Sequence, residues 1–361
     1  MPEMLANLTN PIVYLDIRIG KEEVGRIVIE LRKDVCPKTC ENFRLLCTGE
    51  KGFCYRGSRF HKVIKLCLAQ GGDISEKRNG TSGKSIYGKY FEDENFELKH
   101  DPGSISMANC GRPNSNHSQF FITSVECYHL DGTNVVFGHV RKGLSIIGEM
   151  EVYATDEGTP TRDIIISNCG ELGADENWGY CDNDVTLEDL PPFPCDWDKV
   201  HEDFLINEKL DILNKIKEAG NYFYRNEDYT KSARKYKKVT RYFNHFKDVT
   251  IDQDEIRALD TFQLTNLTNL AATELKLHDF EDVMYSCSAA IKLDPDNTKA
   301  LYRRGIANIE LKNYEMALND LKIALKLSPS NRAVLKEFER AKKCLTSYRE
   351  TEKVHYRKMF Q

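Results

Sequence analysis

Ala271 and Gly305, Phe280 and Tyr314, Ala290 and Ala324, and Pro295 and Pro329 form four pairs, each 34 residues apart. A fixed period of this length describes a helix-turn-helix unit stacked on its own copy, because one such unit cannot bury its apolar face alone. Small residues fall where paired helices cross, and proline follows the second helix. An earlier copy starts at about Leu205 and places Gly220, Phe223, Tyr229 and Tyr236 in equivalent positions. Tyr229 and Phe280 are 51 residues apart, one period plus 17, so an insertion is expected over Phe246 to Ala258 with lengthened flanking helices. The expected repeats span about 205–245, 259–292 and 293–326, and Asn331 to Arg349 supplies a charged capping helix.

This period is that of the tetratricopeptide repeats, and it accounts for less than half of the 361 residues. A chain of this length is expected to hold about two domains. Charge marks the boundary. Residues 173–204 carry ten acidic side chains (Asp175, Glu176, Asp182, Asp184, Glu188, Asp189, Asp196, Asp198, Glu202 and Asp203) against Lys199, a net −9. Residues 205–361 carry 29 Lys and Arg against 23 Asp and Glu, a net +6. With Pro191, Pro192 and Pro194, the acidic stretch reads as a solvated, extended linker. The +6 forms no Lys/Arg tract, so nucleic acid is not an expected partner. No apolar run approaches the roughly 18–20 residues that span a bilayer, and the amino terminus lacks a secretory pattern. The twelve cysteines are scattered without a Cys-x-x-Cys pair, which reads as free thiols in a reducing compartment and no metal site. No membrane partner is expected.

Residues 10–172 have a different texture. Ile12–Ile19 and Val24–Leu31 are short, rich in branched residues and partly alternating, as half-buried strands are. Pro37 can open a helix that places Phe43, Leu46 and Cys47 on one face. Further short strands, such as Val135–Val140 and Asp163–Asn168, are separated by glycine-punctuated loops. Few strands with long connections and helices near each end suggest an antiparallel barrel.

The strings Thr48-Gly49-Glu50-Lys51-Gly52, Phe60-His61, Gln70-Gly71-Gly72-Asp73, Ser106-Met107-Ala108-Asn109, Ser118-Gln119-Phe120-Phe121-Ile122 and Val136-Phe137-Gly138 follow one another in this region. Together they resemble the ordered signature blocks of the cyclophilins. The resemblance implies an eight-stranded antiparallel β-barrel with two capping helices, ahead of an all-α tetratricopeptide domain. It also implies a surface site that binds proline-containing peptides and turns the X-Pro bond without a cofactor. That turn is opposed by roughly 18–20 kcal/mol of amide resonance. Such a site needs an apolar pocket for the ring, groups that hold the flanking peptide, and a cation beside the prolyl nitrogen as it loses conjugation.

Carried over position by position, the resemblance assigns catalysis to His61, Lys62, Gln70, Asn109 and Phe121. It assigns peptide binding to Cys67, Leu68, Ala108, Gln119, His129 and Leu130. Several positions depart from the family pattern. Lys62 stands where the catalytic arginine is usual, and it lacks the planar fork that could bond glutamine and peptide together. Cys67 replaces a pocket phenylalanine, Leu68 a common methionine and Asn134 a usual histidine, while Arg112 is a one-residue insertion. His129 replaces the tryptophan that many members use to hold cyclosporin. The expectation is peptide binding with reduced isomerase activity and weak or no cyclosporin binding.

In the repeats, Lys217 and Asn221 are four residues apart, as are Lys299 and Arg303, so each pair shares a helix face. With Asn269 they resemble the carboxylate clamp of chaperone-binding tetratricopeptide domains, in which cations pair with a terminal carboxylate and an aspartate. This implies the Glu-Glu-Val-Asp tails of heat-shock protein 90 and heat-shock protein 70 as ligands. Barrel, acidic linker, three repeats and a closing Tyr356-Arg357-Lys358-Met359-Phe360 resemble the forty-kilodalton class of cyclophilins that carry tetratricopeptide repeats. That class implies a co-chaperone acting on client proteins in the cytoplasm, with the nucleus as a further compartment.

Overall fold

A computed structural model describes residues 10–173, 176–179, 184–186 and 188–359, with the side chains of 352 and 354–359 excepted. The chain divides into two compact units: Met1–Asn183 with Asp189–Val200, and Asp184–Glu188 with His201–Gln361.

The first unit holds eight strands, β1 (Ile12–Ile19), β2 (Glu22–Leu31), β3 (Lys62–Ile64), β4 (Leu68–Gly71), β5 (Ser104–Met107), β6 (Phe120–Thr123), β7 (Val136–Lys142) and β8 (Ile164–Leu172). They form one antiparallel sheet in the order β3-β4-β6-β5-β7-β2-β1-β8. The residues just before β3 complete the ring. Gly57 N–H donates to Ile166 O at 2.7 Å, Ile166 N–H to Ser58 O at 3.0 Å, and Phe60 N–H to Ile164 O at 2.9 Å. A closed barrel has no unpaired edge to guard. Along β1 burial alternates strictly, with Val13, Leu15, Ile17 and Ile19 inside, as the period of two requires.

Two helices complete this unit. Pro37 occupies the first turn of α1 (Pro37–Thr48), where its missing N–H costs nothing. The α1 residue Phe43 packs with Tyr55, Phe120 and Phe137 at ring-centroid distances of 5.0–5.2 Å. The second helix, α2 (Ser145–Val152), buries Ile146, Ile147 and Met150 in the same core.

The second unit is helical: α3 (Ile206–Arg225), α4 (Tyr229–Val249), α5 (Gln253–Leu277), α6 (Phe280–Leu293), α7 (Thr298–Glu310), α8 (Tyr314–Leu327) and α9 (Arg332–Met359). Tyr229, Phe280 and Tyr314 each open the second helix of a pair. The 17 extra residues lengthen α4 and α5 to 21 and 25 residues, leaving only a short connection between them. Glycine is required where the pairs cross. A Cβ on Gly220 would lie 2.8 Å from the Tyr236 ring, and one on Gly305 would lie 2.7 Å from Leu321 Cγ.

The acidic stretch departs from the expected solvated spacer. Phe193 joins the barrel core, and Asp196 accepts from Gly143 N–H at 2.8 Å. Glu188 is 3% exposed and accepts from Lys235 Nζ at 2.8 Å and Lys238 Nζ at 2.7 Å, while Asp184 pairs with Lys235 at 2.8 Å. Composition alone could not show this, because the lysines that bury these carboxylates lie about fifty residues away in α4. Asp175, Asp182 and Phe360 lie outside the described residues, and so do the side chains of Tyr356, Arg357, Lys358 and Met359.

One buried carboxyl in the helical unit makes a stability prediction. Burial pushes Glu274 up to about 7 from the ordinary 4.5, against the opposing Lys237 charge and Ser286 hydrogen bond. The unfolded chain therefore releases this proton first, and stability falls as pH rises from about 4.5 to about 7. Integrated over that interval the loss is on the order of 3 kcal/mol. Glu274→Gln is expected to remove this decline and raise Tm at pH 8, checked by thermal melts at several pH values. Equal pH dependence in both proteins would refute it.

Candidate functional site

Backbone register assembles the barrel site. Lys62 on β3 faces Gln70 on β4, Gln70 faces Phe121 on β6, and Phe121 faces Ser106 on β5. Directly opposed residues of antiparallel strands project to the same side, so cation, amide and phenyl ring stand in one row. Beside this row, Leu68, Ala108 and Phe121 form a small buried apolar cluster apart from the main core, with Cys67 and Leu130 packed against it. All five are among the residues expected from the sequence to serve catalysis or peptide binding, and Phe121 and Leu130 are the two expected to wall the pocket. His129 lies exposed on the short 3-10 turn Tyr128–Leu130.

The polar rim is braced from behind. Gln70 Nε2 donates to Gln119 Oε1 at 3.0 Å, and Gln119 Nε2 donates to Gly80 O at 2.9 Å and Ser82 O at 2.8 Å. With its amide hydrogen so committed, Gln70 has its carbonyl oxygen left for a cation. Gly80, at φ +86°, lies so close to His61 that a Cβ there would meet the imidazole at 2.2 Å. Burial holds the His61 pKa below its ordinary value, despite the opposing Asp73 charge, and so favours the neutral ring. Asn109 Nδ2 donates to Thr133 O at 2.8 Å, which fixes the segment after β5. At the divergent positions, Asn134 donates to Met107 O at 2.9 Å, and Arg112 lies over the Tyr90 ring at 5.2 Å.

Two residues that sequence reading missed lie against the apolar cluster. His100 is fully buried and stacks on Phe121 at 5.7 Å and 14°, with Nδ1 2.7 Å from Asp131 and Nε2 3.0 Å from Ser106 Oγ. Desolvation lowers its pKa, against the pull of Asp131. A neutral ring clamped at both nitrogens holds the phenyl wall in place. The other is Cys127, whose sulfur lies 3.6 Å from that of Cys67.

Residues 14–171 match the family described as cyclophilin type peptidyl-prolyl cis-trans isomerase/CLD. The chain is also 36% identical, over 98% of its own length and 99% of the relative's, to a protein named peptidyl-prolyl cis-trans isomerase D from Kluyveromyces lactis. This chain belongs to the cyclophilin family. As a cyclophilin it is a peptidyl-prolyl cis-trans isomerase. In this structure the Leu68, Ala108 and Phe121 cluster and the Lys62–Gln70–Phe121 row stand side by side, as a site for a proline ring and a cation would require. No bond is made or broken; the site has only to favour the twisted amide over the planar one.

The five residues expected to form a clamp occupy the first helices of successive pairs. Lys217 and Asn221 lie on α3, Asn269 on α5, and Lys299 and Arg303 on α7. These helices touch in the order α3, α5, α7. Asn269 and Lys299 line one cavity of about 350 Å³ with Thr268 and Asn297, and Asp294 and Asp296 line it too, bringing opposing charge. Lys217 Nζ lies over the Phe262 ring at 4.6 Å, and Asn221 accepts from Tyr236 Oη at 2.7 Å. Arg303 donates to Thr268 O at 2.7 Å. No helix among the described residues is long and apolar enough to cross a membrane.

Proposed function

We propose that this cyclophilin is a chaperone-docked isomerase of the cytoplasm and nucleus. Its repeats would hold the Glu-Glu-Val-Asp tail of heat-shock protein 90 or 70, while its barrel binds X-Pro segments of client proteins and turns them slowly. The observation that carries the docking is a charge imbalance. Among the described residues, Lys217, Lys299 and Arg303 have no carboxylate partner. Around them Lys209, Lys231, Lys235, Lys247 and Arg304 are all ion-paired. Three cations without a direct carboxylate pair along touching helices favour a ligand that brings its own carboxylates.

Calorimetry with a Met-Glu-Glu-Val-Asp peptide tests this. Binding is expected in the natural chain and abolished by Lys299→Ala; binding that survives the substitution would refute the clamp. Lys62 favours a second reading, an adaptor whose barrel binds peptide without useful catalysis. The weak or absent cyclosporin binding proposed here follows from His129 standing where many members carry a tryptophan.

A further inference from the structure

The side chains of Cys67 and Cys127 bring two thiols together at the wall of the proline pocket. Their sulfurs are 3.6 Å apart, and Cys127 Sγ also lies 3.5 Å from the Cys67 carbonyl. The two residues are 60 positions apart in the chain, so the fold and not local sequence places them. Cys67 is half-buried and packs on Leu68, Ala108 and Phe121, whereas Cys127 is 1% exposed. A disulfide needs its sulfurs about 2.05 Å apart, so closure requires a movement of about 1.5 Å shared between two side chains. The backbone around them stays anchored, because Ser124 N–H donates to Cys67 O at 2.8 Å and Cys127 N–H to His100 O at 2.8 Å.

We propose that Cys67 and Cys127 form a reversible disulfide that closes down proline-peptide binding, a regulation that rests on this cluster being the proline pocket. The chemistry needs a low-molecular-weight disulfide such as oxidised glutathione. The more accessible Cys67, as its thiolate, attacks one sulfur of that disulfide, forming a mixed disulfide and releasing one glutathione thiolate. Cys127, as its thiolate, then attacks Cys67 Sγ, the protein disulfide forms, and the second glutathione leaves. Two cysteines lose two electrons and two protons, and one glutathione disulfide becomes two glutathione thiols. Burial and the neighbouring thiol push Cys127 up to about 12, which with its near-complete burial makes it a poor first attacker; its sulfur, 3.6 Å from that of Cys67, is placed for the second, intramolecular step. Buried Cys36, Cys40, Cys47, Cys169 and Cys287 are likewise pushed up by desolvation and are poor first attackers.

Closure alters the pocket in two places. It draws the Cys67 sulfur toward Cys127 and away from the apolar wall. It also tethers the residue that opens the Tyr128–Leu130 turn, which carries Leu130, the other half-buried wall residue. Loss of apolar wall contact of this size is expected to weaken proline-peptide binding about tenfold.

The test uses the full chain equilibrated with reduced and oxidised glutathione, alkylated and digested. Peptide mapping reads the crosslink, and fluorescence anisotropy with a labelled Ala-Pro peptide reads affinity. The expected result is a Cys67–Cys127 linked peptide, reversed by dithiothreitol, absent in Cys127→Ser and in Cys67→Ala, with an about tenfold higher Kd in the linked form. The Cys67→Ala variant guards against misfolding at the more deeply buried position. A glutathione adduct at Cys67 without the link, or a link that leaves Kd unchanged, would overturn the proposal. A reduced chain that binds no proline peptide would sink the pocket reading and with it the gating, while mapping would still score the disulfide itself.

Discussion

Lys62→Arg is expected to raise kcat/KM for isomerisation of an X-Pro peptide by about a hundredfold, the scale of one well-placed transition-state donor. The bracket for an arginine is already built. Gln119 is tied to Gly80 and Ser82, Gln70 is tied to Gln119, and Lys62 faces Gln70 across the β3-β4 pair. A guanidinium fork could give one N–H to the free Gln70 oxygen and another to the prolyl nitrogen. An ammonium at the end of four methylenes has donors enough but no plane to hold it in register with both. The gain should lie in kcat, because the cation contributes most when the amide is twisted and its nitrogen pyramidal. Exchange spectroscopy by NMR, which needs no coupling protease, would measure both proteins directly. A rate within twofold of the natural chain would show that Lys62 already does what the fork would do, and the reading of a slow enzyme would fall.

Much of this site could be read from the chain, and the boundary of what could be read is physical. Lys62, Gln70, Ala108 and Phe121 stand inside short signature strings, so each was placed by its neighbours in sequence. His100 and Cys127 belong to no such string. Their roles come from contacts with Phe121 and Cys67, 21 and 60 residues away, that only the sheet order creates. The helical half shows the same division. A period of 34 residues located Gly305 and Tyr314, because packing of repeat on repeat leaves a periodic trace. The burial of Glu188 between Lys235 and Lys238 leaves none, since an acidic residue in an acidic stretch looks solvated until its partners are known. His129 is placed among the peptide-binding residues by position alone, and its exposure on the Tyr128–Leu130 turn neither adds to that assignment nor removes it.

Adjacent arginines on α7 offer the sharpest separation of binding from stability. Arg304 is held by Asp320 in a two-pronged pair at 2.8 Å, and the carboxylate is 3% exposed as a residue. Arg303, one position away, has no carboxylate. Burial lowers its pKa, and its hydrogen bond is to the neutral Thr268 carbonyl. Removing a buried cation that lacks a partner relieves a desolvation cost, whereas removing half of a buried pair strands the other half. Arg303→Met is therefore expected to leave Tm unchanged or higher while weakening Met-Glu-Glu-Val-Asp binding by more than about a hundredfold, as loss of a charge-assisted pair with a carboxylate implies. Arg304→Met should do the reverse, costing about 3 kcal/mol of stability through the orphaned Asp320 while the folded fraction keeps its affinity. Amidating the peptide's terminal carboxyl should reproduce the binding loss of Arg303→Met without touching the protein. If Arg303→Met lowers Tm as far as Arg304→Met does, Arg303 is a structural residue; if the amidated peptide binds as well as the free acid, the cations along α3 and α7 serve some other ligand.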